Sequence, residues 1–382
     1  MKKQEIRIGL IGFGAMGKTH TFAVQNLPLF VPDLPFTAKI AGVCTRSLEK
    51  SQAIAHTFQF PLATACEDDL INDPDIDVID ICTPNICHYG TALKALAAGK
   101  HLYCEKPLCD NAADALALAE RAKQSGRICT TVFNNRHLAA VMRAKQLIDE
   151  GRLGRILHFD FAYLHNSCTD PEKAAGWKQD ATVCGKGGVL FDLGSHIIDL
   201  AVFLCGKLRT VQGKGQIAFP TRRGLDGSSW QTDAPEAFYM MVETVSGAHG
   251  MLTASKLTTG ANDDLLFSIY GDVGSLRFSL MDPNFLEFYD AAAPAAPIGG
   301  DRGFTRIECV GRYPAPAGLF PSPKAASGWL RGHLMSMYHF LDAVYTGKQN
   351  APDFTDGAYV QHLMELALRS DAEGGIPKAV EL

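Results

Sequence analysis

A six-residue turn near the N-terminus, set between a strand-like run and a helix-like segment, restricts the fold of this chain more than any other feature. Residues 6–11 are apolar as in a buried strand, and residues 18–27 have a helix-forming composition. The turn between them reads G-x-G-x-x-G and consists of Gly12, Phe13, Gly14, Ala15, Met16 and Gly17. In a dinucleotide-binding fingerprint the first glycine permits a tight turn, the second lets the backbone approach a pyrophosphate, and the third lets helix and strand pack closely. We therefore predict that this turn holds a dinucleotide at a helix N-terminus.

Strand-like and helix-like segments continue to alternate as far as residue 133. Strands are predicted at residues 39–44, 78–82, 101–104 and 128–133, and helices at residues 48–58, 89–98 and 112–125. This alternation predicts a doubly wound parallel sheet. Because ligands of such sheets bind beyond the carboxyl ends of the strands, we expect the cofactor to meet residues that follow them. These are Cys82, Thr83, Pro84, Asn85, His88, Glu105, Lys106 and Asn134.

The end of the second predicted strand bears on the choice between NAD and NADP. An NAD-binding fold usually places an acidic residue there, about 20 residues after the glycines, to hold the ribose 2′-hydroxyl. This chain has Thr45, Arg46 and Ser47 instead. Arg46 can pair with a 2′-phosphate or stack on the adenine, or it can be a surface residue that opens the next helix. We expect these three residues to contact NADP or NAD, with a lean to NADP.

The pattern changes after residue 150, where apolar and polar residues begin to alternate as in strands with one covered face. Strand-like runs are found at residues 157–163, 211–219, 238–245, 251–257, 265–270 and 275–280. Few helices separate them, which predicts an open, mostly antiparallel sheet. We therefore expect an α/β Rossmann domain at residues 1–134 and an α+β domain for substrate binding and oligomerisation at residues 135–382. An open sheet with an apolar face invites association, so a homo-oligomer is expected.

A mostly apolar, helix-like stretch at residues 187–204 is interrupted by Asp192, His196 and Asp199. At positions i, i+4 and i+7 of a helix, these three side chains lie on one face. A buried carboxylate or imidazole is costly unless it is paired or used. A carboxylate one turn before a histidine can orient the ring and stabilise its charged form. We interpret the three residues as part of a catalytic site; the alternative is a polar face whose groups are satisfied inside a core.

The composition argues against several classes of function. The 382 residues carry a net charge of -5, so nucleic acid is not an expected partner. No apolar run reaches the ~18 residues of a membrane span, so a membrane is not expected either. The 11 cysteines are scattered without a C-x-x-C pair, which predicts reduced thiols in a cytoplasmic protein and no metal site.

With these motifs in this order, the chain resembles the glucose–fructose oxidoreductase and inositol dehydrogenase family, Gfo/Idh/MocA. The resemblance rests on the glycine turn, the segments Cys82-Thr-Pro-Asn85 and Glu105-Lys-Pro107, and the D-x-x-x-H spacing of Asp192 and His196. It implies a Rossmann domain, a second domain built on an open sheet, and dimers or tetramers. It also implies oxidation or reduction of one carbinol carbon of a sugar or cyclitol with NAD or NADP. Lys106, Asp192 and His196 would then be catalytic.

The chemistry suggests a role for each of these residues. Oxidation of a carbinol removes a hydride from carbon and a proton from oxygen, and the protein must take the proton. We predict His196 as the base, because its unperturbed pKa of ~6.5 lies near the working pH. Asp192 would orient the ring, and Lys106 would stabilise the developing alkoxide; a lysine with a lowered pKa is the alternative base.

The resemblance implies that the substrate is a sugar, an anhydrosugar or a cyclitol. Trp177 and Lys178 resemble the part of the family that acts on pyranose sugars, including anhydrosugars such as levoglucosan. Besides the three predicted catalytic residues, the side chains that could meet substrate hydroxyls are Asn134, Arg136, His165, Trp177, Lys178 and Asp199.

Two other functions use the same sequence features. A glycosidase or lyase of the family would oxidise the sugar transiently and return the hydride, so reduced cofactor would not accumulate in solution. A non-catalytic sugar or cofactor sensor is the second alternative. The joint presence of Lys106, Asp192 and His196 favours an enzyme, because a sensor does not need a proton relay.

Overall fold

The structure is a computed structural model that describes residues 3–174, 176, 180–224 and 227–381. Within them the chain forms two compact units. The first unit contains the chain up to Asn134, Tyr313–Pro323 and Leu330–Gln361; the second contains Asn135–Arg312, Lys324–Trp329 and the chain from His362 onwards. Among the described residues, no helix combines the length and apolar composition that crossing a membrane would require.

The helices and strands are numbered here in chain order. The first eleven are β1 (Gln4–Ile11), α1 (Ala15–Phe30), β2 (Phe36–Cys44), α2 (Leu48–Phe58), β3 (Leu62–Thr64), α3 (Glu67–Ile71), β4 (Val78–Ile81), α4 (His88–Ala97), β5 (His101–Cys104), α5 (Ala112–Ser125) and β6 (Cys129–Thr131). Those up to the middle of the second sheet are α6 (Ala139–Asp149), β7 (Ile156–Leu164), α7 (Ala181–Cys184), α8 (Ser195–Cys205), β8 (Leu208–Gln216), β9 (Thr221–Arg223), β10 (Ser229–Gln231), β11 (Ala237–Thr244) and β12 (His249–Ser255). The last are β13 (Asp264–Gly271), β14 (Gly274–Ser279), β15 (Phe285–Asp290), β16 (Phe304–Glu308), α9 (Trp329–Thr346), α10 (Phe354–Ala372) and β17 (Lys378–Ala379).

The first unit is built on a six-stranded sheet in the order β3-β2-β1-β4-β5-β6, and all its strand pairs are parallel. The predicted doubly wound parallel sheet is thus confirmed. Leu10 and Ile11 of β1, whose side chains point to opposite faces of the sheet, are 0% and 3% exposed, as expected for a strand covered on both faces. Because β1, β4 and β5 are neighbours, the segments that follow their carboxyl ends lie side by side.

Helix α1 is longer than predicted. The proline at position 28 suggested a break, but the helix continues to Phe30 and ends with the N–H of Val31 donating to the carbonyl oxygen of Leu27 at 2.9 Å. A proline inside a helix costs about 3 kcal/mol, because it removes one hydrogen bond and crowds the preceding turn. Leu27 and Val31 are both buried, so packing of this last turn offsets that cost.

The second unit is built on a nine-stranded sheet in the order β16-β15-β14-β13-β7-β12-β11-β8-β17. Its pairs are antiparallel except β7 with β12, which confirms the predicted mostly antiparallel sheet. One face is covered and aromatic: the ring of Phe161 lies 6.0 Å from that of Phe159 and 5.2 Å from that of Phe267. On β11, Tyr239 and Met241 are exposed and alternate with the buried Phe238, Met240 and Val242.

Two late segments join the first unit, and here the structure differs from the predicted assignment of residues 135–382 to one domain. The reason is packing against the parallel sheet. Tyr103 of β5 donates a hydrogen bond to the hydroxyl of Ser336 at 2.7 Å, and its ring lies 4.9 Å from that of Phe340, both on α9. Phe354 and Ala358 of α10 belong to the buried core beside the same sheet.

Candidate active site

The glycine turn after β1 has the geometry that a dinucleotide requires. Gly12 has a φ of +95°, and a Cβ added to it would lie 2.5 Å from the carbonyl oxygen of Cys82. A Cβ added to Gly17 would lie 2.5 Å from the carbonyl oxygen of Gly12, whereas one added to Gly14 would meet nothing within 4 Å. The chain itself therefore requires glycine at the first and third positions. The glycine at the second position keeps open the kind of space that a pyrophosphate occupies.

Helix α1 begins at this opening. Gly14 is its N-cap, no side chain caps its first N–H groups, and its first turn contains no acidic residue. Such a helix N-terminus favours a bound anion through its N–H groups and its dipole. Phe13 is buried, with its ring 5.4 Å from that of Phe58, so its side chain serves packing and its backbone is what the turn offers to a ligand. These residues fit the predicted dinucleotide phosphates.

Two of the three predicted cofactor residues after β2, Thr45 and Ser47, form hydrogen bonds at the start of α2. Ser47 is the N-cap, and its hydroxyl accepts a hydrogen bond from the N–H of Lys50 at 3.3 Å. The Thr45 hydroxyl donates to the carbonyl oxygen of Ser47 at 3.0 Å and lies 3.0 Å from the Ser51 hydroxyl. Arg46 is exposed. A contact with a 2′-phosphate would therefore depend chiefly on Arg46.

His88 joins the two loops that follow β4 and β5. Its buried ring places Nδ1 2.9 Å from the carbonyl oxygen of Pro107 and Nε2 2.9 Å from that of Thr83. Burial lowers the pKa of this imidazole despite the opposing effect of the two carbonyl groups. His88 is therefore packed between the loops around Asn85 and Lys106, and its neutral ring donates a hydrogen bond to one of the two carbonyl oxygens. Its direct contact with the cofactor stays a prediction.

A buried charged cluster beside Lys106 was missed by the sequence analysis. His20 of α1 places Nδ1 2.9 Å from Oδ1 of Asp80 and Nε2 3.1 Å from Oε1 of Glu105. The other oxygen of Glu105 accepts a hydrogen bond from the backbone N–H of Lys106 at 3.2 Å. A carboxylate at position 80, within the apolar run of β4, was a visible sign of this cluster. No pattern distinguished His20 from other polar residues of a surface helix.

His20, Asp80 and Cys82 also offer three metal-ligand atoms within 4.8 Å of one another. Imidazole, carboxylate and thiolate are the usual ligands of zinc. In this structure the separations are those of hydrogen bonds, at 2.9 Å for His20–Asp80 and 3.2 Å for His20–Cys82. We therefore interpret the cluster as a hydrogen-bonded charge network. The expected absence of a metal stays a prediction.

In the second unit, Asp192 and His196 lie on one continuous helical segment whose first part is wound differently from the prediction. Leu190–Gly194 forms a π-helical turn that runs directly into α8. A π turn contains more residues than an α turn, so the four residues from Asp192 to His196 turn the chain through a smaller angle than they would in a regular α-helix. Single π turns inside helices occur frequently at functional sites.

Asp192 forms an ion pair that the sequence did not predict. Nζ of Lys256, the residue after β12, lies 2.9 Å from Oδ2 of Asp192, and the lysine side chain is 5% exposed. Burial alone would lower the pKa of Lys256, but the Asp192 carboxylate outweighs it and the pKa is raised. The Asp192 carboxylate therefore lies beside a buried cation. Its predicted contact with the ring of His196 stays a prediction.

His196 is 8% exposed, and Asn135 and Tyr163 both contact its ring. Nδ1 lies 3.3 Å from the side-chain amide nitrogen of Asn135, and the ring of Tyr163 meets it edge to face at 5.7 Å. Asn135 selects the tautomer of the ring. An amide nitrogen facing Nδ1 places the ring proton on Nε2, whereas an amide oxygen there would keep the proton on Nδ1 and leave Nε2 able to accept one.

A second polar group lies next to Tyr163. The hydroxyl of Tyr163 donates to Oδ1 of Asp263 at 2.5 Å, and Nε2 of His165 lies 3.0 Å from the same oxygen. Burial would raise the pKa of Asp263, but the hydrogen bonds from His165 and Tyr163 outweigh it and the pKa is lowered. Tyr163, His165 and Asp263 thus extend the polar surroundings of His196. Asp263 was not identified from the sequence.

Arg136 and Asp199, both predicted near the substrate, are bound to each other. Nε and Nη2 of Arg136 lie 2.9 Å and 2.5 Å from the two carboxylate oxygens of Asp199, and the side chains are 6% and 1% exposed. Such a fork-to-fork pair satisfies both buried charges. Their contact with a substrate stays a prediction, as does that of Asn134, which is buried in the first unit. Trp177 and Lys178 lie outside the described residues.

The first unit combines a parallel sheet with an open glycine turn after β1, and the second unit carries a helix with polar residues. These features define the class of protein as a Rossmann oxidoreductase with an attached second domain. Comparison with known proteins agrees: residues 6–133 match "Oxidoreductase family, NAD-binding Rossmann fold" and residues 141–277 match "GFO/IDH/MocA C-terminal domain". The chain belongs to the Gfo/Idh/MocA family. It is an NAD(P)-dependent dehydrogenase, as the sequence predicted.

Two relatives place the chain within this family. It is 32% identical to levoglucosan dehydrogenase of Pseudarthrobacter phenanthrenivorans over 97% of each chain. It is 28% identical to scyllo-inositol 2-dehydrogenase (NAD(+)) of Bacillus subtilis, over 72% of this chain and 74% of the relative. Among solved structures, a levoglucosan dehydrogenase in complex with NADH superimposes with a TM-score of 0.94 at 30% identity, over 99% of this chain and 100% of the other.

Proposed function

We propose that this dehydrogenase oxidises one carbinol carbon of a pyranose sugar or anhydrosugar of the levoglucosan type. The observation that carries the proposal is the connected polar group around His196. Asn135 and Tyr163 contact the ring, and Tyr163 continues to Asp263 and His165. A polyhydroxylated ring needs several positioned donors and acceptors of this kind. The 32% identity to a levoglucosan dehydrogenase along 97% of the chain supports the same substrate class.

The residues of the chain divide the chemistry as follows. When bound, the nicotinamide supplies the hydride acceptor. His196 takes the proton of the reacting hydroxyl at Nε2, with the Asn135 amide assigned so that its oxygen accepts a hydrogen bond from the Nδ1–H. Lys106 stabilises the negative charge that develops on the oxygen. Asp192 forms an ion pair with Lys256 at 2.9 Å, and this pair holds in place the first part of the helical segment that carries His196.

The enzyme class is tested by turnover of candidate substrates. Monosaccharides, anhydrosugars and inositols are each mixed with NAD or NADP, and the reduced cofactor is followed. Anhydrosugars and pyranoses should give the highest kcat/KM. His196→Ala should lower kcat by ~10²–10⁴-fold without loss of dinucleotide binding, as expected for a positioned base, and exposed His56→Ala serves as the control. Activity of His196→Ala within a few-fold of the parent would refute the assignment, and a net product without reduced cofactor would indicate a glycosidase or lyase.

The dinucleotide preference depends on Arg46 in this proposal. No acidic residue stands at the end of β2 to repel a 2′-phosphate, and the exposed guanidinium can bind it. The enzyme should therefore accept NADP as well as NAD, with the preference for NADP carried by this side chain. Arg46→Ala should weaken NADP by roughly tenfold or more, worth ~1.4 kcal/mol, and NAD much less. Equal losses for both cofactors in a titration would mean that Arg46 stacks on the adenine.

A further inference from the structure

Three neighbouring elements of the first unit each contribute one ionisable side chain to a buried chain of contacts. His20 comes from α1, Asp80 from β4, and Glu105 directly follows β5. The side chains of His20 and Asp80 are 1% exposed and that of Glu105 is 7% exposed. The imidazole lies between the two carboxylates, 2.9 Å from Asp80 and 3.1 Å from Glu105.

This arrangement requires a charged imidazole. Each ring nitrogen faces a carboxylate oxygen, and an imidazole donates hydrogen bonds from both nitrogens only when it is protonated. Burial alone would lower the pKa of His20, but Asp80 and Cys82 outweigh it and the pKa is raised. Burial would raise the pKa of Glu105, but the hydrogen bond and charge of His20 lower it to about 2. Without the cation, two carboxylates would be left buried in one place, which is strongly unfavourable.

The same network reaches the backbone of Lys106. Glu105 binds His20 through Oε1, while its Oε2 accepts the Lys106 N–H at 3.2 Å. On the other side of the lysine, Pro107 is fixed by His88, whose Nδ1 lies 2.9 Å from the proline carbonyl oxygen. The backbone that carries Lys106 is thus held from both directions by buried histidines.

We propose that His20 is a positioning residue: its imidazolium locks Glu105 and so sets the backbone of Lys106 relative to α1, whose N-terminus receives the dinucleotide. The importance of Lys106 for turnover rests on the proposed function. His20 lies within two helical turns of Gly14, so the dinucleotide site and the lysine loop share one helix.

The test compares His20→Asn and Glu105→Gln with Val24→Ala, a buried change one turn further along α1 that leaves the charge network intact. In His20→Asn and Glu105→Gln, kcat should fall on the order of 10–10²-fold, the cost of a misplacement of about 1 Å. KM for the sugar and dinucleotide affinity should change only a few-fold. Val24→Ala should keep kcat. If all three variants lose only thermal stability and keep kcat, His20 is a structural residue and the proposal is wrong.

Amide hydrogen exchange at Lys106 gives a readout that does not depend on turnover. Exchange of the Lys106 N–H should accelerate in Glu105→Gln and His20→Asn and stay unchanged in Val24→Ala. If no sugar is turned over but this pattern holds, the proposed function fails and the positioning role stands. If His20→Asn does not fold, Glu105→Gln supplies both measurements with the imidazole in place. Unchanged exchange, or a stoichiometric metal ion in the purified enzyme, would overturn the proposal.

Discussion

At the scale of single residues, we predict the effect of removing the ion pair between Asp192 and Lys256. Lys256→Met keeps the length of the side chain but leaves a carboxylate, 20% exposed, without its counter-charge. Such a loss costs about 1–3 kcal/mol of unfolding free energy. Protonation of Asp192 should become favourable at higher pH, so the acidic limb of the kcat–pH profile should move to higher pH. Stopped or continuous assays over a pH series measure this shift.

A surface lysine in the same unit provides the control for this change. Lys214 pairs with Asp371 at 2.8 Å, and its side chain is 71% exposed. Lys214→Met should cost no more than ~1 kcal/mol and leave the pH profile unchanged, because exposed pairs contribute little. Should both lysine variants give the parent's pH profile, Lys256 would have no part in setting the charge of Asp192.

The second prediction at the scale of residues concerns how the charge network around His20 makes the free energy of unfolding depend on pH. The raised pKa of His20 gives stability that is full below its unfolded value of 6.5 and is lost as pH rises through the folded pKa. The lowered pKa of Glu105 gives stability that is full above its unfolded value of 4.5 and is lost as pH falls toward about 2. The ionisable groups that face the ring are Asp80, Cys82, Tyr103, Glu105 and His333.

Removal of the ring should reverse the part of this dependence that comes from Glu105. In His20→Asn the two carboxylates lose their cation, so burial favours their neutral forms and the variant loses stability as pH rises. The difference in unfolding free energy from the parent should grow as pH rises above about 4.5, where the carboxylates ionise in the unfolded chain, and reach about 3–5 kcal/mol at neutral pH. Chemical denaturation of both proteins over this range measures it. A difference independent of pH would show that His20 acts through packing and not through charge.

At the scale of elements, two glycines at the N-terminus of α1 should have different effects: Gly14 on dinucleotide binding and Gly17 on the stability of the fold. Gly14→Val should place methyl groups in the open space at the turn and weaken dinucleotide binding at least tenfold, ~1.4 kcal/mol, with little change in thermal stability. Gly17→Ala should chiefly destabilise the fold, because its Cβ would lie 2.5 Å from the backbone of Gly12. Gly303→Val, which also meets nothing within 4 Å, is the control. Unchanged cofactor affinity in Gly14→Val would mean that the dinucleotide binds elsewhere.

The elements were predictable from the sequence wherever one pattern dominated. β4 and β5 are short, continuous apolar runs, and they were predicted to within one residue at each end. The C-terminal end of α1 was not, because the cost of Pro28 is local whereas the packing of Val31 that offsets it is tertiary. The π turn at Leu190–Gly194 was missed for the same kind of reason, since the spacing of polar residues assumes a regular helix.

The candidate site was predictable only in part. Residues that follow strand ends, such as Lys106, were found because parallel strands deliver them to one edge of a sheet. Partners from distant parts of the chain were not: Glu105 binds His20 across 85 residues, and Asp192 on its helical segment binds Lys256, which follows β12. Such pairs depend on the order of strands in each sheet, which periodicity does not reveal.

At the scale of the whole molecule, the outer face of the nine-stranded sheet bears on assembly. Met241 of β11 and Met251 of β12 are directly opposite each other in the antiparallel pair and are 54% and 41% exposed. Tyr239, two residues along β11, is 40% exposed on the same face. Contiguous exposed apolar side chains on a sheet mark an interaction surface more often than a free one. The symmetric association of two such faces is the simplest way to cover them.

We therefore predict a homodimer or homotetramer in which this face is buried, and a charge pair placed on it should break the assembly. Met241→Asp with Met251→Asp puts two like charges opposite each other on neighbouring strands, which an apolar interface cannot accommodate without large desolvation costs. Sedimentation at micromolar concentration should show an oligomer for the parent and a smaller species for the double variant. Met281→Asp, at a methionine that is 54% exposed after β14, is the control and should leave the assembly unchanged. A monomeric parent protein under these conditions would contradict the prediction, because an interface of roughly 1,000 Å² or more should persist there.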